Sequence, residues 1–322
     1  MLFRLSATPN VQLFLNAPLA RYTRFEIGGP ARMLANASTE EALAETLRLA
    51  KESDTPHAVI GGGSNLICDD EGFPGVIARY VAGAIEIDGE RVRVQAGAVL
   101  QDLVDRTIDA GLQGLETLTG IPGWVGGAIY GNAGAYGHSI EESVESVRFF
   151  DGEKARELAS NKLNFAYRDS IFKRFKDWVI LDAVLGLKKA DAAELRATAD
   201  GILKIRNEKY PPTMKCAGSI FKNLMLADLP PGVTVPGKVV REGKVPAAYF
   251  LEAAGAKGLA IGGLRVADYH ANLIYNEGGG TARDLWHLIE TLKTGVWEKF
   301  GVRLEEEVQR ITARKTSDPS AS

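Results

Sequence analysis

The chain has 322 residues, of which 45% are hydrophobic and 25% charged, with a net charge of −3. This is the make-up of a folded protein of about two domains, long enough to bury a core without metals or disulfides. Charges of both signs are scattered, which speaks against a nucleic-acid partner. The two cysteines, Cys68 and Cys216, cannot build a disulfide framework or a structural zinc site, and no apolar run is long enough for a membrane span.

The N-terminal stretch "MLFRLSATPNVQLFLNAPLARYTRF" shows neither a long apolar core nor a cleavage site of a signal peptide. "STEEALAETLRLAKE" reads as a helix, with Ser38 and Glu41 at capping-box spacing and Leu43, Leu47 and Ala50 on one face. "PHAVIGG" is a continuous apolar run, expected as a strand buried on both faces. "RVRVQAG" alternates like a half-exposed strand. "VLQDLVDRTIDAG" places Leu100, Leu103, Val104 and Ile108 together and stops at Gly111. "WVILDAVLGLK" reads as strand. "DAAELRATADGILKIRNE" opens on the capping pair Asp191 and Glu194. "TARDLWHLIETLKTGVWEKFG" runs from a Thr281 cap to Gly301, with Leu285, Leu288, Ile289 and Leu292 inward. Helices and strands mix without the steady alternation of a doubly wound sheet. A polar helix near 189–205 separates two glycine-rich halves, and a domain boundary is expected there. The polar end, 314–322, is expected to be disordered.

Two glycine segments carry the functional signal. "AVIGGGSNLICDD" follows a strand, yet it is neither G-x-G-x-x-G before a helix nor a Walker loop. Gly61, Gly62 and Gly63 would still let a backbone approach phosphate, their amides forming an anion nest, and Ser64 and Asn65 can add side-chain hydrogen bonds. The plain alternative is a tight turn between strands. The second segment, "TGIPGWVGGAIYGNAGAYG", interleaves seven glycines with apolar residues. A flexible linker would be polar instead. Ordered glycine-rich backbone either packs loop on loop or lies against a ligand, and two such segments favour a large, flat, phosphate-bearing cofactor.

In these stretches the chain resembles a known family, the UDP-N-acetylenolpyruvoylglucosamine reductases (MurB). The matching segments are "YTRFEIGGPARML", "VIGGGSNLI", "GLETLTGIPGWVGGAIYGNAGAYG", "FAYRDSIFK", "AGSIFKN", "KGLAIGGLRVADYHANLIYN" and "FGVRLEEEV", in the family's order from about residue 20 to 310. The resemblance implies an α+β protein. Its FAD-binding fold would be of the vanillyl-alcohol-oxidase (PCMH) type in two subdomains, 1–80 and 81–190, followed by an α+β substrate-binding domain at 200–313. It also implies FAD and NADPH as cofactors, and UDP-N-acetylglucosamine enolpyruvate as the compound reduced to UDP-N-acetylmuramate for peptidoglycan. A cytoplasmic monomer without membrane, nucleic-acid or metal partner is expected.

By the same resemblance, Gly61, Gly62, Gly63, Ser64, Asn65 and Leu66 hold the FAD diphosphate. Thr119, Gly120, Pro122, Gly126, Gly127, Ala133 and Gly134 line the rest of the flavin. Reducing an enol ether conjugated to a carboxylate needs cations or donors where negative charge builds, and a positioned acid. Arg168 matches the family's carboxylate-binding arginine, beside Tyr167; an arginine grips a carboxylate bidentately and keeps its charge. Ser219 matches the proton donor, and Glu307 the glutamate that assists it. Glu306 stands where the family has proline. Asn223, Lys209 and His270 match substrate-side positions. Each has a plainer alternative: Arg168 as a surface partner of Asp169, Ser219 as a turn serine, Glu305 to Glu307 as a solvated acidic run, His270 as a structural histidine.

The tyrosine-bearing loop of some members is not found here, which points to the shorter subtype. The proline-rich stretch 226–246 reads equally as a lid rim or a surface loop. Two other functions stay open: a flavin-dependent oxidase or dehydrogenase of the same fold, with the flavin tethered through Cys68 or His138, and a non-catalytic nucleotide-sugar binding module.

Overall fold

The computed structural model describes residues 1–312; the tail expected at 314–322 lies outside them. The first sheet pairs Val11–Pro18 antiparallel with Pro30–Ala37, then adds Phe73–Tyr80 and His57–Val59 in parallel. Parallel neighbours need a crossover, and the helix Glu40–Glu52 supplies it. Leu43, Leu49 and Ala50 of that helix are fully buried.

Its cap corrects the sequence expectation. Thr39, the last extended residue, accepts from the Ala42 amide at 3.2 Å, so Ser38 lies one residue too early. The Ser38 hydroxyl donates to the Asn10 carbonyl instead. His57–Val59 is also not buried on both faces. It is the sheet's edge strand, His57 is exposed, and Ala58 and Val59 are half-buried because they border a cavity.

The second sheet is antiparallel throughout, in the order Ala155–Ala159, Val144–Phe150, Val179–Gly186, Arg91–Gln95, Ile85–Asp88. Val179–Gly186 is central and buried on both faces. Arg91–Gln95 alternates as expected, with Val92 and Val94 inward. Asp182 is a buried carboxylate in the central strand. It is tolerated because Arg93 (2.7 Å) and Arg148 (2.5 Å) both pair with it. The helix Leu100–Asp109 ends at Ala110, and Gly111 follows at φ +66°. The second glycine segment is ordered, and forms the short helix Val125–Tyr130.

The helix Ala192–Lys209 is capped by Asp191, which accepts from Ala193 and Glu194. Its Leu195 and Ala199 join the core of the second sheet. Beyond it, Ala260–Ile261, Leu264–Ala267 and His270–Asn276 form a three-stranded sheet. The helix Ala282–Phe300 packs there, burying Leu285, Leu288, Ile289, Leu292 and Val296, each worth roughly 1.5–3 kcal/mol. It runs from the Thr281–Asp284 capping box to Gly301 at φ +63°. Phe25, Ile27 and Ile67 belong to this core too.

The stretch 226–246 lies over the same core through Val233, Val235, Val239 and Val240. Backbone pairing and a helix cap are among the ties between the halves. Gln309–Ile311 pairs in parallel with Leu66–Cys68, and the Asp70 carboxylate accepts from the Ala282 and Arg283 amides at 2.7 and 2.9 Å. A carboxylate at a helix N-terminus satisfies otherwise orphaned donors. Among the described residues, no helix is long and apolar enough to cross a membrane.

Candidate active site

Both glycine segments open onto one cavity of about 620 Å³, within the ~300–1,000 Å³ of ligand sites. Residues 61–66 line it, as do Pro122, Gly126, Gly127, Ala133 and Gly134. Thr119 and Gly120 do not. They border a smaller cavity of about 330 Å³ beside Gln101 and Asp105, and the Gly120 amide donates to Gln101 at 2.7 Å.

The first loop is held tightly. Gly63 sits at φ +70°, and a Cβ there would fall 1.7 Å from the Tyr22 carbonyl oxygen, so only glycine fits. The side chains expected to reach a phosphate are engaged within the protein. Ser64 Oγ donates to the Pro122 carbonyl at 2.9 Å. Asn65 Nδ2 donates to the Glu307 carbonyl at 2.9 Å, and the Asn65 carbonyl accepts from Gln309. The expected cofactor loop is thereby joined to the expected acid segment. Behind the loop, Arg79 lies 4.5 Å from the Trp124 ring centroid and 5.1 Å from that of Tyr22. Burial pushes its pKa down. It adds fixed positive charge beside the glycine backbone.

The second segment offers a cradle. A Cβ on Gly126 would meet Ala96 Cβ at 2.9 Å, so this glycine allows the helix to pack on the sheet. Its neighbour Gly127 faces the cavity, and a Cβ there would meet nothing within 4 Å.

Arg168, Ser219 and Glu307 line the same cavity, although they lie on three separate segments. The chain achieves this through short backbone pairings. Ser219 bridges to Leu273, and Phe221 to Glu306. The Glu307 amide donates to the Ile220 carbonyl at 2.7 Å. Glu307 is thus hydrogen-bonded to the segment that bears Ser219.

Arg168 Nε meets Glu307 Oε1 at 2.6 Å, with their side chains 24% and 21% exposed. This replaces the surface pairing with Asp169, whose nearest cation is Arg174 at 3.8 Å. Nor is the acidic run simply solvated. Glu305 pairs with Lys222, Glu306 with Lys293 and Glu307 with Arg168. Arg168 itself has φ +56°, a left-handed backbone costing roughly 1–3 kcal/mol in a residue with a side chain.

The substrate-side positions Tyr167, Lys209, Asn223 and His270 do not line this cavity; Tyr167 and Asn223 touch, the Asn223 amide donating to the Tyr167 hydroxyl at 3.3 Å. Burial raises the Tyr167 pKa. Lys209 and His270 lie together near Tyr210. Lys209 Nζ is 5.0 Å from the Tyr210 ring centroid, and the His270 ring centroid is 6.3 Å from it. His270 Nδ1 accepts from the Asn272 amide at 3.1 Å. Burial, then the nearby Lys209 charge, push the His270 pKa down to about 4, so this imidazole is neutral at pH 7.

Several cavity residues had escaped sequence reasoning. Tyr210 OH lies 3.4 Å from Ser219 Oγ. Arg206 is half-buried, its enclosed Nε has no hydrogen-bond partner, and burial pushes its pKa down. Arg24 and Lys173 also face the space. None forms part of a glycine pattern; only their place in segments already noted could have flagged them. Arg24, Arg168, Lys173, Lys176, Arg206 and Arg310 line the cavity against the carboxylates Asp177 and Glu307. That excess of positive charge suits a polyanionic ligand. Among the described residues, no group of three or more His, Cys, Asp and Glu side chains could hold a metal ion.

Comparison with known proteins places this geometry among relatives. Residues 31–155 match the sequence profile described as an FAD binding domain, and residues 210–311 that of the UDP-N-acetylenolpyruvoylglucosamine reductase C-terminal domain. The chain is 56% identical to the UDP-N-acetylenolpyruvoylglucosamine reductase of Solibacter usitatus (strain Ellin6076), over 96% of this chain and 99% of that one. It is 35% identical to that of Bacillus subtilis (strain 168), over 93% and 94%. The crystal structure of the Thermus caldophilus enzyme superposes with a TM-score of 0.74 at 30% identity, covering 94% of this chain and 99% of that one.

Proposed function

The chain belongs to the UDP-N-acetylenolpyruvoylglucosamine reductase family, FAD-containing and NADPH-dependent oxidoreductases, and we propose that Arg168, Ser219 and Glu307 carry its chemistry. Its reaction is the reduction of UDP-N-acetylglucosamine enolpyruvate to UDP-N-acetylmuramate in peptidoglycan precursor synthesis. The fold is α+β, with an FAD-binding part of the vanillyl-alcohol-oxidase type.

The observation that carries the assignment of roles is the shared cavity, in which the Arg168–Glu307 pair and Ser219 open onto the space beside Gly127. When bound, FAD would supply the hydride chemistry of the reduction. Residues 61–66 and Gly127 would hold this cofactor. Arg168 binds the substrate carboxylate and stabilises the charge that spreads onto it. Ser219 delivers the proton to the adjacent carbon, with Tyr210 within reach of its hydroxyl. Glu307 steadies Arg168 and assists the proton transfer. Tyr167, Lys209, Asn223 and His270 bind the remainder of the substrate.

Residues 1–80 and 81–190 would form the two FAD subdomains and 200–313 the substrate domain. Separate sheets within 11–80, 85–186 and 260–276 support that division. The same reading has a monomer working in the cytoplasm, without nucleic-acid or membrane partners; two buried free thiols accord with a reducing compartment. An oxidase with a tethered flavin is disfavoured. Neither Cys68 nor His138 lines the cavity, and burial raises the Cys68 pKa to about 12, leaving almost no thiolate to react.

The test is anaerobic. NADPH should bleach the yellow protein, and the enolpyruvyl substrate should then restore the oxidised flavin spectrum within one turnover. Bleaching of the oxidised flavin by an alcohol in place of NADPH, or colourless protein that binds only the UDP-sugar, would overturn the reading.

A further inference from the structure

The assignment of Arg168 to the substrate carboxylate leaves a neighbouring cation without a task. Lys173 lines the cavity and is half-buried. Its Nζ donates to the backbone carbonyl oxygen of Arg168 at 2.5 Å.

Arg168 needs such a hold. Residues 166–169 close a tight turn through two backbone hydrogen bonds, Ala166 N to Asp169 O at 3.2 Å and Asp169 N to Ala166 O at 3.1 Å. Arg168 occupies the third position of that turn at φ +56°, where glycine or asparagine is the usual choice. The side chain is then fixed from two directions, by Glu307 at Nε and by the Gly134 carbonyl, 3.0 Å from Nη2. A return of Arg168 to an ordinary negative φ would swing its carbonyl off Nζ and re-aim its Cβ. The whole guanidinium arrangement therefore depends on an unfavourable backbone state.

Lys173 is well placed to enforce that state. It lies on the short helix Ile171–Arg174. The residue before this helix, Ser170, is anchored by its hydroxyl to the Tyr130 carbonyl at 2.7 Å and by its amide to Asp169. The charges around Nζ are Lys222, Asp169, Glu307 and Glu305, and its distance from the Tyr130 ring centroid is 5.9 Å. An ammonium bound to a carbonyl in a poorly solvated place makes a stronger bond than the same pair in water.

We propose that Lys173 is a positioning residue: its ammonium, on the Arg168 carbonyl, locks the 166–169 turn in the left-handed form that aims the Arg168 guanidinium at the substrate carboxylate. The proposal rests on the carboxylate-binding reading of Arg168, and a double-mutant cycle separates the two.

Lys173→Met keeps the stem and removes the charged donor. It should leave FAD retention and flavin reduction by NADPH within about twofold of the parent. Reoxidation by the enolpyruvyl substrate should slow by about 10- to 100-fold, as expected when a reacting group is displaced by an ångström. Lys173→Arg retains a donor within reach of the carbonyl, and should recover most of that loss. In an Arg168→Ala background, Lys173→Met should add less than about twofold, because the residue it positions is already gone. If Lys173→Met multiplies the Arg168→Ala loss by its full factor, or slows flavin reduction equally, Lys173 acts on ligand or cofactor directly and the proposal fails. If Arg168→Ala alone leaves substrate reoxidation intact, the underlying reading fails instead. Should Lys173→Met not fold, Lys173→Arg decides: a loss as large as that of Arg168→Ala overturns the positioning role.

Discussion

Replacing Gly127 with alanine separates the protein's own needs from those of its cofactor. Gly127 is the third residue of the helix Val125–Tyr130, and a Cβ there would meet no atom within 4 Å. In the FAD-free protein the methyl group therefore clashes with nothing. It relieves the entropic cost of glycine in a helix, for a gain of about 0.5–1 kcal/mol. In a chain of this size that raises the melting temperature by about 1–3 °C. The same methyl projects into the cavity that FAD fills under our assignment. Overpacking of that kind costs about 1–3 kcal/mol, or roughly 5- to 150-fold in FAD affinity.

Gly126→Ala is the matched control. Its Cβ would lie 2.9 Å from Ala96 Cβ, so it should destabilise the FAD-free protein. Thermal melts of stripped protein and fluorescence titration with FAD measure both quantities. Undiminished FAD affinity in Gly127→Ala would show that the flavin does not lie on this helix. A lowered melting temperature would refute the open space assigned to that side chain.

Ser219→Ala should leave NADPH-driven flavin reduction intact and slow substrate-driven reoxidation by about 10²–10⁴-fold, the range for a general acid; equal losses in both half-reactions would remove Ser219 from the proton-transfer step. Asn65→Ala deletes the bond to the Glu307 carbonyl, worth about 1 kcal/mol. It should slow reoxidation roughly fivefold with FAD retained, whereas loss of FAD alone would make Asn65 a cofactor ligand only.

His270 has a folded-state pKa lowered to about 4 from 6.5, so the unfolded chain binds its proton first as pH falls. Its contribution to stability is complete above about pH 6.5 and is lost progressively as pH falls toward 4. His270→Gln should flatten that part of a denaturant-midpoint profile, and superimposable profiles would refute the burial argument.

What the sequence determined by itself was local or chemical. Asp191, Thr281 and Gly301 mark helix ends because capping depends on a few adjacent residues. Alternation in 91–95 and the apolar density of 179–186 disclosed two strands, since side-chain direction follows chain period. Glycine density announced that something lies close to backbone, and the residue types of Arg168, Ser219 and Glu307 suited the chemistry the family performs. Tertiary structure alone decided how these features combine. A short stretch cannot say that His57–Val59 forms a sheet edge, that Gly126 meets Ala96 while its neighbour Gly127 meets open space, or that Asn65 reaches Glu307. The Arg168–Glu307 pair joins residues 139 positions apart. Lys173, Arg206 and Tyr210 became visible only once the cavity had walls. A cavity is the space left between remote segments, and its shape is set by long-range packing, which residue-by-residue preferences do not encode.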